Sequence, residues 1–247
     1  MSDKNLTPEA QMKAISRRGF SWSVVAGLSA FGIWKWVNSR PLEAGTSAPL
    51  RRILDFNGDL WSRLTSPSKL VETYTTSQAK PVRTNGLVGL SSRVEEGGHF
   101  IRVEGLGAQR DIKMADLMAL PRHEQVIKFK CIEGWSSVVQ AAGCRFSDFI
   151  GLVSPNHEGL SNFAYLATPD EDYFVGIDTK SLMHPQTLLV WEMAGRPLKP
   201  ENGAPVRLLI PIKYGIKNLK RLGLVRFQDT RPPDYWYERG YDYFAGL

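Results

Sequence analysis

Val126-Ile127-Lys128-Phe129-Lys130-Cys131-Ile132-Glu133-Gly134-Trp135-Ser136 is the stretch on which the reading of this chain turns. Val126, Ile127, Phe129 and Cys131 have the apolar pattern of a buried strand, and Gly134 and Ser136 break that pattern directly after the cysteine. Cys131 therefore stands at a strand end, at the mouth of a sheet, beside a glycine turn. A thiol delivered there by a rigid element is placed to ligate a metal or to attack a substrate. It also reads as a small buried hydrophobe, because free cysteine is among the most buried residue types.

The 247 residues, 43% hydrophobic, suffice for one full core or two small ones. A formal net charge of +6 admits anionic ligands, membrane surfaces or nucleic acid without choosing among them. No repeat or low-complexity tract occurs. Cys131 and Cys144 are the two cysteines. A bridge between them would exclude a metal-ligand role for Cys131, and no C-x₂-C zinc spacing is present.

The second informative stretch runs from Asn202 to Arg221. Between Arg207 and Arg226 it holds six basic residues, Arg207, Lys213, Lys217, Lys220, Arg221 and Arg226, and no acidic one. Cationic side chains set around a glycine beside a buried strand are what a bound phosphate requires. A solvated basic face is the plainer reading, although it would not need Asn-Gly-Ala-Pro or Lys-Tyr-Gly. A nucleic-acid surface would spread aromatics through the basic run, so none is expected as partner.

At the N-terminus, Ser16-Arg17-Arg18-Gly19-Phe20 introduces an apolar run to Val37 that only Lys35 interrupts. This is a twin-arginine export signature, and its run is slightly short for a span of about 20 residues. Cleavage after export and retention as an anchor through residues 20–37 both remain open. Residues 38 to 50 look like a linker, which sets the domain division at 1–49 and 50–247. Leu50 to Leu64 reads as a short helix or helix pair interrupted at Asn57-Gly58, and residues 65 to 100 are polar and irregular. His99 to Gly105 alternates as a strand, and Ile112 to Pro121 reads as a short helix stopped by its proline. Trp135 to Ile150 is expected to be helical. Asn162 to Thr168 should be a strand, and Leu188 to Met193 a buried helix turn or strand. The tail has six aromatics among the ten residues from Tyr235 to Phe244, expected as packing over the sheet.

Lys130-Cys131-Ile132-Glu133-Gly134-Trp135-Ser136 resembles the cysteine motif of the molybdopterin-dependent oxidoreductases of the sulfite oxidase superfamily. The nearer likeness is to the branch of bacterial protein-methionine-sulfoxide reductase catalytic subunits. Asn-Gly-Ala-Pro-x-Arg, Pro-x-Lys-Tyr-Gly-x-Lys, His-Pro-Gln-Thr-Leu-Leu and the closing Pro-Pro-x-x-Trp are similar to that family too. The likeness covers about residues 82 to 247, but the family's upstream Asn-Asn-Phe-Tyr-Glu stretch is not found here.

The resemblance implies an α+β, sheet-rich, mixed sulfite-oxidase-type molybdopterin-binding fold with peripheral helices. It implies Cys131 as the protein ligand to molybdenum, with the molybdenum-molybdopterin held by Asn202, Arg207, Asn218, Leu219 and Lys220. Val82-Arg83-Thr84-Asn85-Gly86 resembles a cofactor-meeting Arg-x-Asn segment, which makes Asn85 a candidate; its Asn-Gly equally reads as a turn. Thr168 matches a cofactor-contacting threonine by spacing, and a strand-end turn explains it as well. Trp135 is a candidate wall of the substrate cleft or a core residue. His184 is a candidate proton donor or part of a capped turn.

The expected activity is oxygen-atom transfer, with reduction of a small-molecule or protein S-oxide by electrons from a membrane cytochrome b or quinol-linked subunit, in the bacterial periplasm. The alternatives are a sulfite dehydrogenase and a cofactor-free binding domain on the same scaffold. No C-x-x-C-H haem motif occurs in the sequence.

Overall fold

A computed structural model describes residues 7–64, 66, 69–81, 83–91 and 98–247. Val82, the first residue of the Arg-x-Asn segment, lies outside them. The chain forms two units, Met1–Ile53 and Leu54–Leu247, so the division falls a few residues after the expected one.

The first unit contains helix α1 (Pro8–Asn38), the two-residue strands β1 (Leu42–Glu43) and β2 (Thr46–Ser47), and the start of helix α2 (Ala48–Leu64). Arg17, Arg18 and the whole apolar run lie on α1. Among the described residues no helix is long and apolar enough to cross a membrane. Trp22, Trp34, Trp36 and Lys35, with interspersed serines and glycines, dilute the run. Its large apolar side chains, Phe20, Trp22, Leu28 and Phe31 among them, are exposed. The expected linker instead holds a hairpin, β1 against β2. Ala44 and Gly45 both take positive φ, as a tight two-residue hairpin turn requires.

Helix α2 runs unbroken through Asn57-Gly58, contrary to the expected interruption. Gly58 serves packing rather than a turn: a Cβ there would stand 2.6 Å from the Asp242 carboxylate oxygen.

The second unit is built on two five-stranded sheets. In the first, β5 (His123–Lys130), β6 (Ser136–Arg145) and β9 (Leu188–Met193) are neighbours. Strands β10 (Arg196–Pro197) and β11 (Arg207–Leu209) both pair with β9. The second sheet has the order β4 (Arg110–Lys113), β3 (Phe100–Glu104), β12 (Leu224–Gln228), β7 (Phe163–Ala167), β8 (Phe174–Asp178). Among the described residues only β3 and β12 pair in parallel. Short helices α3 (Met114–Met118), α4 (Phe146–Gly151) and α5 (Thr179–Leu182) lie between strands in the chain.

Inward residues of both sheets form one core, with Ile101, Leu166, Ile177 and Val225 from one sheet and Leu189 and Leu208 from the other, beside Phe146 and Phe149 of α4. Each such side chain contributes about 1.5–3 kcal/mol of burial.

The expected helix from Trp135 to Ile150 is a strand as far as Arg145. Its alanines carry helix propensity, but an eight-residue antiparallel register with β5 overrides it. Gly143 sits at a bulge where β6 meets β9, and a side chain there would collide with the Leu189 carbonyl oxygen. The expected helix from Ile112 splits into β4 and the one-turn α3, with the Asp116 carboxylate accepting the Lys113 N–H at 3.1 Å. Leu188 to Met193 is the strand of its two options.

Candidate active site

Strand β5 ends at Lys130, and Cys131 opens the turn into β6. Its N–H donates to the Trp135 carbonyl at 2.9 Å, and its own carbonyl accepts from the Gly134 N–H at 3.1 Å. Gly134 has φ +87°, which a glycine adopts without steric cost. The turn presents the thiol, 7% exposed, to a cavity of about 170 Å³. A Cβ on Gly215 would stand 2.8 Å from the Phe129 ring, so this glycine lets the loop after β11 close on the cysteine strand.

Around the sulfur, the Asn85 side-chain amide donates to Cys131 Sγ at 3.6 Å and to Glu133 Oε2 at 3.3 Å. Trp135 is half-buried and forms a cavity wall. Its indole Nε1 donates to Glu133 Oε2 at 3.0 Å, and the Arg83 guanidinium lies 4.5 Å from its ring centre. The hydrogen bonds from Trp135 and Asn85 hold the Glu133 carboxyl below the usual carboxylate range.

The other end of the same cavity is cationic. Arg207, on β11, is buried and donates to the Asn202 carbonyl and the Asn218 carbonyl, both at 3.1 Å. Burial pulls its guanidinium down to about 10. Its Nε and the buried Asn202 Oδ1 have no hydrogen-bond partner among the described residues. Lys220 donates to the Asn85, Gly86 and Glu201 carbonyls at 2.7, 2.8 and 2.9 Å. Burial, then Arg207, pulls its ammonium down to about 8. The Asn218 amide fixes the loop, accepting from the Ile210 N–H at 2.6 Å and donating to the Tyr214 carbonyl at 3.0 Å.

The basic run is thus not a uniform cradle. Lys213 pairs with Asp178, Lys217 with Asp234 and Arg226 with Glu104.

The structure gathers Cys131, Asn85, Trp135, Arg207, Asn218 and Lys220 on one cavity, with Asn202 behind Arg207. Three other candidates stand outside it. Thr168 Oγ1 bonds the Asp170 carboxylate at 2.5 Å in the turn after β7. His184 Nε2 meets the Lys69 carbonyl at 3.1 Å and Nδ1 accepts the Gln186 N–H at 3.1 Å, so both ring nitrogens are engaged. Leu219 packs its side chain into the core, and its carbonyl accepts from Leu208 N–H at 2.8 Å.

Sequence reasoning did not assign Arg83, Glu133, Tyr173, Trp236 and Tyr241 to the site, yet all five line the cavity. The tail does pack over the sheet, with the Tyr235 ring 5.2 Å from that of Tyr173 and 6.0 Å from that of Phe174 on β8. It also supplies cavity wall, since Trp236 Nε1 donates at 3.0 Å to the Tyr173 hydroxyl, which donates in turn to the Ile216 carbonyl. The density of aromatics after Pro232-Pro233 was the available signal.

Both cysteines are free. Cys144 lies in the core, where burial pushes its thiol up to about 12. Only Cys131 is placed to act as a thiolate ligand.

A molybdopterin group needs a soft ligand for its metal and cations for its phosphate. The cavity offers the Cys131 sulfur at one end. At the other it offers a buried guanidinium whose Nε is unsatisfied and which forms no ion pair among the described residues. This donor set fits the group. At about 170 Å³ the cavity is smaller than the roughly 300–1,000 Å³ of ligand sites in general.

Comparison with known proteins agrees. A protein of Azospira oryzae that carries the provisional name protein-methionine-sulfoxide reductase subunit YedZ1 is 30% identical over 195 residues, covering 77% of this chain and 73% of that one. The protein-methionine-sulfoxide reductase catalytic subunit MsrP of Campylobacter jejuni is 33% identical over 51% of this chain and 47% of its own length. That of Burkholderia mallei is 35% identical over 56% and 46%. The chain therefore spans just under half the length of these catalytic subunits. Among solved structures, the sulfane dehydrogenase SoxCD of Paracoccus pantotrophus shares the fold, with a TM-score of 0.51 at 16% identity over 57% of this chain and 41% of that one. Residues 89–236, more than half of the sequence, match the family described as the oxidoreductase molybdopterin binding domain. The chain belongs to that family of molybdopterin-binding oxidoreductases, in the sulfite oxidase superfamily.

Proposed function

We propose that the protein binds a molybdenum form of molybdopterin through Cys131 and reduces an S-oxide substrate. The observation that carries this reading is the cavity shared by Cys131 and the buried Arg207, whose guanidinium forms no ion pair among the described residues and keeps its Nε unsatisfied there. When bound, the group would supply two-electron redox chemistry and accept the substrate's oxygen atom. The net reaction takes two electrons and two protons, breaks the S–O bond and releases a thioether and water.

The chain's own residues supply binding and orientation. Arg207, with Asn202 beside it, would hold the phosphate end. The Asn85 amide donates to the Cys131 sulfur and so helps to fix its position on the cavity wall. Phe129, Trp135, Trp236 and Tyr241 form an apolar wall suited to a neutral thioether oxide, and they exclude water from it. Glu133, held ionised beside the sulfur, disfavours a dianion such as sulfite. The engaged ring of His184, away from the cavity, removes the reason to give it a proton-donor role.

Arg83 is the observation that keeps sulfite oxidation as a second reading, since it is a cation on the cavity wall. Reduced-dye oxidation with a panel of S-oxides and N-oxides, beside sulfite-dependent dye reduction, separates the two. Turnover of sulfite alone overturns the favoured reading.

By likeness to relatives named as catalytic subunits, electrons would come from a separate membrane cytochrome b or quinol-linked subunit. The two arginines and exposed apolar face of α1 support twin-arginine export to the periplasm, with α1 cleaved or kept at the membrane. Replacing Arg17 and Arg18 with lysine should abolish export, and normal periplasmic delivery would contradict it.

A further inference from the structure

The cationic and sulfur ends of the cavity are tied together by one short segment. Arg83 at its start lies over Trp135, and Asn85 bonds Cys131 Sγ. The carbonyls of Asn85 and Gly86 accept from Lys220, and that of Leu90 accepts from Arg221 Nη1 at 3.0 Å. The Lys220 ammonium has three hydrogens, and three carbonyls take them, with Glu201 the third. Lys220 is therefore engaged in holding backbone, and its backbone geometry supports this: a Cβ on Gly203 would stand 2.8 Å from the Lys220 Cβ, so the two loops meet closely at the lysine. Arg221 turns its side chain the same way from an αL backbone with φ +49°.

We infer that Arg83–Leu90 is a strap latched by Lys220 and Arg221, and that Lys220 is a positioning residue for Cys131, acting through Asn85. This rests on the reading of Cys131 as the metal ligand, but it assigns Lys220 a task that does not involve the cofactor phosphate. A charge-assisted latch at one end fixes the carbonyl of Asn85, and the amide of the same residue is thereby held against the Cys131 sulfur and Glu133 Oε2. Unlatching the strap frees Asn85 and uncovers the thiol.

The test uses the full-length chain prepared without cofactor, as the unmodified protein and as Lys220→Arg, Lys220→Gln and Asn85→Ala. Amide hydrogen exchange is followed over residues 84–90, and iodoacetamide alkylation is followed at Cys131, with buried Cys144 as the internal control. Lys220→Gln is expected to speed strap exchange and Cys131 alkylation about tenfold, with Cys144 unchanged and Lys220→Arg close to the unmodified protein. Asn85→Ala is expected to raise Cys131 alkylation alike while the strap stays protected. Unchanged Cys131 alkylation in either Lys220→Gln or Asn85→Ala overturns the inference, as does a parallel rise at Cys144. If Lys220→Gln does not fold, Asn85→Ala decides. Molybdenum content of the unmodified protein and of Cys131→Ser, both from cells grown with molybdate, tests the cofactor reading separately, so one can fail while the other stands.

Discussion

Cys131 and Arg207 line one cavity, the first on the turn that closes β5, the second on a strand paired with β9 of the same sheet. More than 70 residues of chain separate them, and the register of the first sheet brings them together. A buried guanidinium without a carboxylate costs folding free energy that an anionic ligand recovers.

Replacing Arg207 with Gln should therefore separate cofactor retention from folding. Loss of a charged hydrogen-bond donor to the phosphate end weakens retention by about 1.5–3 kcal/mol, or roughly 10- to 150-fold. The melting temperature of the cofactor-free chain should fall little or rise, because a desolvated charge is removed. Metal content after dialysis, measured beside thermal unfolding, checks both halves.

Lys217 and Asp234 are an internal pair, each almost wholly buried, and they lie outside the cavity that holds Cys131. Lys217→Met should destabilise the chain by about 3–5 kcal/mol by leaving the Asp234 carboxylate buried without its partner. Chemical denaturation measures this, and a loss under about 1 kcal/mol would contradict the assignment of Lys217 to structure.

Lys220 carries a pH dependence of definite sign. Its ammonium is pulled down to about 8 in the fold by burial first and Arg207 second, against about 10.4 in an unfolded chain. Between those values the unfolded chain binds the extra proton, so this group makes the stability of the cofactor-free chain rise with pH from about 8 to about 10. Below pH 8 both states are protonated and its cost is constant. The stability gained between pH 7 and pH 9.5 should be smaller in Lys220→Gln, and an equal gain would contradict it.

Much of the second unit was legible in the sequence because it rests on local signals. The apolar run before Cys131, the alternation over Phe163–Ala167 and the glycine after the cysteine each state their structure in a few residues. Ser136–Arg145 was misread because its alanines favour helix locally, and only pairing with β5 and β9 makes it a strand. Asn57-Gly58 misled for the opposite reason. It has turn chemistry, but Asp242, far along the chain, leaves no room for a side chain at Gly58.

In the site, Cys131 and Arg207 were visible as motif residues and Arg83 and Glu133 lay within quoted motifs, whereas Tyr173 and Tyr241 acquire a role only from tertiary placement. The single-sign basic run overstated the cradle, since the carboxylates that neutralise Lys213 and Lys217 come from Asp178 and Asp234, on other elements.

The most direct measurement is metal analysis of the full-length chain purified from cells supplied with molybdate, for the unmodified protein, Cys131→Ser and Cys144→Ser. Thiolate ligation by Cys131 predicts about one molybdenum per chain in the unmodified protein and in Cys144→Ser, and essentially none in Cys131→Ser. Full molybdenum in a folded Cys131→Ser chain would contradict it.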